Sequence, residues 1–114
     1  MKLPYADQLR VEREKILDYL LCSTHPDGGS KAEFFGRFGF QVEQWESLAE
    51  SLRLHGTTHA VVKMVESAFG TRYGVDGPLT SPDGRTPLVR TVWILEKGTT
   101  IPRLITAYPL EDEP

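Results

Sequence analysis

Two histidines stand four residues apart, His55 and His59, where a predicted helix gives way to a predicted strand. One imidazole could accept the proton of an attacking 2′-hydroxyl while the other protonates the leaving oxygen. An unperturbed pKa of about 6.5 allows both protonation states at neutral pH. The pair would therefore suit cleavage of a phosphodiester. The alternative is structural, with His55 stabilising a helix C-terminus and His59 lying on a strand surface.

A metal site is not predicted at this pair, because no further ligands lie nearby in the sequence. Gly56 and the β-branched residues 57–58 also indicate that the helix ends between the two histidines. His25 belongs to a His-Pro-Asp-Gly-Gly loop that is typical of a structural turn. Cys22, the one cysteine, excludes an intramolecular disulfide and is interpreted as a small buried residue. Without a nucleotide-binding, nucleophile-elbow or zinc-protease motif, no cofactor is expected.

Three polar residues of the C-terminal strands could form a second chemical patch: Arg90, Thr106 and Tyr108. If the two strands pair, these side chains could meet on one side of the sheet. A guanidinium fits phosphate oxygens and stabilises charge that develops on them, and a threonine hydroxyl could orient the phosphate. Tyr73 is interpreted either as a stacking surface for a base or as an edge-strand residue. Arginine and threonine are also common on the solvent side of strands.

Turn chemistry organises the strands that carry these residues. Ser81-Pro82-Asp83-Gly84 predicts a β-turn, and a short polar segment with Gly98 predicts a second hairpin. The predicted strands cover residues 57–68, 73–79, 87–95 and 101–108. They would form an antiparallel meander.

Helical periodicity predicts three helices in the N-terminal half, over residues 11–21, from Ser30 to about Phe38, and over 42–55. Ser30 and Glu33 have capping-box spacing, and Gly39 is placed to end the second helix. The expected fold class is α+β, with three N-terminal helices packed on one face of a four-stranded antiparallel sheet. The opposite face would be at least partly open.

The 114 residues predict a single domain: a helical half at about 1–55, a sheet at about 57–109 and a short acidic tail at 110–114. Residues 1–54 carry a net charge of −2, and residues 55–108 carry +2. A mildly basic sheet is compatible with a polyanionic partner. With neither a signal peptide nor a transmembrane segment in the sequence, a cytoplasmic location is expected and no membrane association.

Several segments carry a resemblance that covers nearly the whole chain. They include Val-Arg-Thr-Val-Trp at 89–93 and Pro-Arg-Leu-Ile-Thr-Ala-Tyr-Pro at 102–109, with 2–4, 18–35, 73–79 and 81–85. Together they resemble an uncharacterised family of small bacterial proteins. The strand pattern is similar to the C-terminal sheet of the barnase–EndoU–colicin–RelE-like ribonuclease toxins, which have N-terminal helices packed on a four-stranded antiparallel sheet.

The resemblance implies a metal-independent endoribonuclease that acts through the 2′-hydroxyl and leaves a 2′,3′-cyclic phosphate. It implies a toxin, with RNA as substrate and a small acidic antitoxin or immunity protein as partner. The residues expected to be catalytic are His55, His59, Arg90 and Thr106, and those expected to bind RNA are Arg72, Tyr73, Arg85 and Tyr108. The alternatives are a non-catalytic protein-binding module or toxin-like domain of a toxin–antitoxin pair, or a protein whose sheet forms a homodimer.

Overall fold

Four strands form one antiparallel sheet in the order β1-β2-β3-β4, as the turn signals predict. The computed structural model describes residues 1–110, so the predicted acidic tail lies outside the described residues beyond Leu110. The strands are β1 at Val61–Ser67, β2 at Gly70–Pro78, β3 at Leu88–Glu96 and β4 at Arg103–Pro109. The order and antiparallel pairing confirm the predicted α+β meander.

Three helical segments precede the sheet. The first is a short α-helix, α1, at Arg13–Lys15, which widens into a π-helix at Ile16–Leu20. The second, α2, spans Gly29–Arg37 and ends before Gly39, whose positive φ of 97° suits glycine. The third, α3, spans Trp45–Thr58. Short 3-10 turns at Ala6–Gln8 and Val42–Gln44 complete the N-terminal half.

Alternation along the strands separates a covered face from an open one. On β3, Val89, Thr91 and Trp93 are buried, and Val89 and Trp93 belong to the same apolar core as Leu48 and Leu52 of α3. The residues between them project to the other side. The helices therefore cover one face of the sheet, as expected, and leave the other available for binding.

The helix end expected before Gly56 is wrong, because α3 continues to Thr58 and β1 begins only at Val61. Gly56 is buried inside the helix, and a Cβ at this position would lie 2.7 Å from Cζ2 of Trp93. The glycine is therefore a packing residue, not a terminator.

The expected capping box at Ser30 is also not formed. The helix begins one residue earlier, at Gly29, and no side chain caps its N-terminus. The first turn of α2 is instead joined to the preceding loop by backbone bonds, Gly29 N to His25 O at 3.0 Å and Ala32 N to Gly28 O at 2.8 Å.

The β1 edge exposes apolar side chains that the helices do not cover. Val62, Met64, Val65 and the hairpin residue Phe69 are each about half exposed or more, Phe69 by 76%. Among residues 1–110, no helix is long and apolar enough to cross a membrane.

Candidate functional site

The open face carries a shallow hollow with three basic side chains on its rim, Lys63, Arg72 and Arg90. Its volume is about 200 Å³, and Tyr108 closes the side nearest β4. At its floor Gly74 has no side chain, and a Cβ there would lie 3.3 Å from Cβ of Lys63. The missing side chain leaves room for a group to sit among the three cations.

Arg90 is fixed in this hollow by Asp76, its cross-strand neighbour on β2. The guanidinium donates from Nε to Oδ1 at 2.6 Å and from Nη2 to Oδ2 at 2.9 Å. The Asp76 carboxylate, and then the Tyr108 phenol beside it, raise the pKa of Arg90 above its already high value. Two of the five guanidinium N–H donors bond to Asp76 and another is directed at Tyr108, which leaves donors available to an oxyanion.

Thr106 extends the same face across β4. It is the cross-strand partner of Val92 and lies two residues before Tyr108, which pairs with Arg90. Its hydroxyl is 2.9 Å from the hydroxyl of Tyr19, a residue of the π-helix. Arg72, Arg90, Thr106 and Tyr108 are therefore brought to one side of the sheet.

His55 lies on the opposite, covered side and is 1% exposed. Its Nε2 is 3.0 Å from the carbonyl oxygen of Gly77 and 2.9 Å from that of Val89, so this nitrogen is the donor. Nδ1 then accepts from the Thr91 hydroxyl at 2.9 Å, while Thr91 accepts from Nε1 of Trp93 at 2.8 Å. Burial lowers the pKa of His55, although the two carbonyl contacts oppose this effect. The ring is a neutral cross-link within the core.

His59 stacks on His55, with the ring centroids 4.9 Å apart. Nδ1 of His59 lies 3.0 Å from the carbonyl oxygen of His55, so this nitrogen of His59 carries the proton. The two rings border a separate small pocket with hydroxyls from Thr58, Thr80 and Thr86. The sheet thus separates the two histidines from Arg90 and Thr106, and the four residues expected to be catalytic do not form one constellation.

Tyr73 borders the hollow without presenting its side chain there, and Arg85 lies outside the hollow. The Tyr73 side chain is 7% exposed and packs in the core. Arg85 holds the β2–β3 connection to the end of α2, donating to the carbonyl oxygen of Arg37 at 2.7 Å and lying over the Phe38 ring. Neither side chain faces the ligand-sized space beside Arg90.

Three site residues were missed from the sequence: Lys63, Asp76 and Tyr19. Asp76 had a usable signal, because the turn at 81–84 sets a register in which it faces Arg90 across the hairpin. Tyr19 had none, since its contact with Thr106 spans 87 residues. Within residues 1–110, no three His, Cys, Asp or Glu side chains are grouped closely enough to hold a metal ion.

Comparison with known proteins found one family model and a similar solved structure. The family model described as a domain of unknown function, DUF6883, matches residues 2–111. The curated proteins gave no match. Among solved structures, a chain of a contact-dependent growth inhibition toxin–immunity protein complex from Klebsiella pneumoniae 342 is similar, with a TM-score of 0.70 and 18% identity. The match covers 88% of this chain and 98% of that chain, and it supports the same fold.

Proposed function

We propose that this chain, which belongs to the DUF6883 family, is a toxin-type endoribonuclease that cleaves RNA through the 2′-hydroxyl without a metal ion. The observation that carries the proposal is the hollow on the open face, where Lys63, Arg72 and Arg90 surround a space beside Tyr108. Cations grouped on an open sheet attract a phosphate backbone. A solved structure of the same fold comes from a toxin–immunity protein complex, which is consistent with this class of protein.

In the proposed reaction the 2′-oxygen attacks phosphorus and the bond to the 5′-oxygen breaks. The products are a 2′,3′-cyclic phosphate and a free 5′-hydroxyl. Arg90 donates to the non-bridging oxygens as negative charge builds on them. Asp76 holds the guanidinium in place, and Thr106 orients the phosphate from the next strand.

Proton transfer is assigned to groups on the open face, because the sheet separates both histidines from Arg90. Tyr108 is the cross-strand partner of Arg90, and its phenolate form is placed to accept the proton of the 2′-hydroxyl, which returns it to the phenol. Lys63, across the hollow, is placed to protonate the leaving oxygen. His55 and His59 then support the sheet from its covered side.

The proposed partner is a small acidic immunity protein or antitoxin that covers the open face. Carboxylates of such a protein would complement Lys63, Arg72 and Arg90. Val65, an exposed apolar residue of β1 that lines the hollow with Lys63, would supply the nonpolar part of the contact.

The test is incubation of the purified protein with total bacterial RNA in EDTA. Wild type, Arg90→Ala and His55→Ala are compared with Arg53→Ala, a control that removes an arginine from α3 paired with Glu50. We expect wild type and Arg53→Ala to cleave the RNA and to leave 2′,3′-cyclic phosphate ends. Arg90→Ala should not cleave, and its melting temperature should show that the variant is folded. If His55→Ala does not cleave RNA but Arg90→Ala does, the catalytic site is the pocket beside the two histidines.

The second candidate is a non-catalytic protein-binding module. The exposed apolar edge at β1 favours it, because a monomer rarely leaves such residues uncovered without a binding role. If neither wild type nor any variant cleaves RNA, and the chain binds the proposed acidic immunity protein or antitoxin stably, the protein is a binding module. Light scattering would separate it from homodimer formation through the same edge.

A further inference from the structure

Tyr19 connects a second group of basic side chains to the open face. Its hydroxyl meets the Thr106 hydroxyl at 2.9 Å, so its position is tied to the strand that carries Tyr108. It belongs to the π-helix at Ile16–Leu20, where Leu21 N bonds to Ile16 O at 2.8 Å. Wide helical turns of this kind occur frequently at functional sites.

Two lysines lie against the Tyr19 ring. The ammonium of Lys15 is 5.2 Å from the ring centroid, and that of Lys31 is 5.4 Å away. Within residues 1–110, neither lysine forms an ion pair with a carboxylate. The aromatic ring stabilises each of the two ammonium groups, and a bound anion would stabilise them further.

His25 adds a ring N–H donor to this group. Its ring meets Tyr19 edge-on, with the centroids 5.0 Å apart. Nδ1 accepts from the backbone N–H groups of Asp27 and Gly28, both at 2.9 Å. The ring proton therefore resides on Nε2, which is a donor on the ring that contacts Tyr19.

The carboxylates nearby define the side from which an anion can approach. The hollow that Lys15 and Tyr19 share also contains Glu12 and Glu14, and Glu12 lies 3.8 Å from Arg103. An anion would be repelled on that side. The approach that avoids Glu12 and Glu14 is from the side of Lys31 and His25, where Asp27 is the neighbouring acidic residue.

We propose that Lys15, Tyr19, His25 and Lys31 form a second phosphate subsite, which binds the backbone of the RNA strand after it passes Arg90 and crosses the β4 edge. This subsite rests on the proposed ribonuclease function. Its ammonium groups and ring N–H suit a phosphate oxygen and would not read the base, while the bond from Lys31 Nζ to the Asp27 carbonyl oxygen at 3.1 Å holds that ammonium in place. The strand is thereby held on both sides of the scissile bond.

The test measures binding of a 2′-O-methyl oligonucleotide of about 12 nucleotides, which cannot be cleaved through its 2′-oxygen. Affinity is determined over a range of salt concentrations for wild type, Arg90→Ala and the double variant Lys15→Gln/Lys31→Gln. The matched control is Arg53→Gln/Lys97→Gln, which removes the same charge from α3 and from the β3–β4 connection. We expect the lysine pair to reduce the salt slope by about 1.4, since each single-strand phosphate contact contributes about 0.7.

The three possible results lead to different conclusions. An unchanged slope in the control with a reduced slope in the lysine pair supports the subsite. Equal reductions in both double variants would reflect net charge alone and would overturn it, even if Arg90→Ala weakens binding. No binding by wild type would overturn the ribonuclease proposal and the subsite together.

Discussion

Arg90 and Asp76 face each other across β2 and β3, joined by two parallel hydrogen bonds of 2.6 and 2.9 Å. Both side chains are one-quarter exposed, so the pair is neither a surface contact nor a fully buried one. The carboxylate holds the guanidinium in one orientation, in which the remaining N–H donors of Arg90 face the hollow. The pair thus couples the β hairpin to the proposed phosphate site.

The first prediction concerns this pair. Asp76→Asn removes a negative charge from the hollow, so affinity for the uncleavable oligonucleotide should rise while cleavage falls by about tenfold, because Arg90 is less firmly positioned. Arg90→Lys should lower cleavage by about a hundredfold, since an ammonium lacks the planar fork. Binding and initial-rate measurements on the two variants test this. A parallel loss of binding and cleavage in Asp76→Asn would contradict the positioning role.

A second prediction separates stability from chemistry at His55. His55→Ala leaves a cavity and removes the partner of Thr91 and of two carbonyl groups, at a cost of about 3 kcal/mol. His59→Ala, at a half-buried position, should cost about 1 kcal/mol. Urea unfolding measures both. Both variants should retain the cleavage rate per folded molecule. A loss of this rate in His55→Ala alone would show that His55 belongs to the catalytic site.

The third prediction is a pH dependence of stability. Burial lowers the pKa of His55 in the folded protein below its unfolded value of about 6.5, so the unfolded chain binds the proton more readily. Its contribution to stability is therefore fully present above that value and is lost as the pH falls toward the folded pKa. The free energy of unfolding should decrease by at most about 1.4 kcal/mol per pH unit in this window. Between pH 7.5 and 5.5, the free energy of unfolding of His55→Gln should decrease less than that of wild type. An equal decrease in both proteins would assign the pH dependence to other groups.

A fourth prediction uses two helical glycines. Gly56→Ala would place a Cβ 2.7 Å from Cζ2 of Trp93 and 2.9 Å from Cδ1 of Leu9, so it should destabilise the protein by about 1–3 kcal/mol. Gly36→Ala meets nothing within 4 Å in α2 and should stabilise it by roughly 0.5–1 kcal/mol. Thermal unfolding should move the two melting temperatures in opposite directions. Similar shifts would show that Gly56 has no special packing role.

Much of the sheet was predictable because its signals are local. The Ser81-Pro82-Asp83-Gly84 turn and the alternation on either side fixed the β2–β3 hairpin, and Gly98, with a φ of 84°, lies in the next connection. The same alternation placed Arg90, Thr106 and Tyr108 on one side once neighbouring strands were paired. The end of α3 was misjudged because Gly56 is typical of a terminator in isolation, whereas the space beside Trp93 requires it inside the helix.

What the sequence by itself determined is the α+β order, the antiparallel meander and a shared side for the strand residues of the site, since turn residues and a two-residue period act over short distances. Only the tertiary structure decided which face the helices cover. That choice buries His55 with Thr91, 36 residues away, and brings Tyr19 to Thr106 across 87 residues. Such contacts follow from core packing and from the need to satisfy buried polar atoms, which no local pattern encodes.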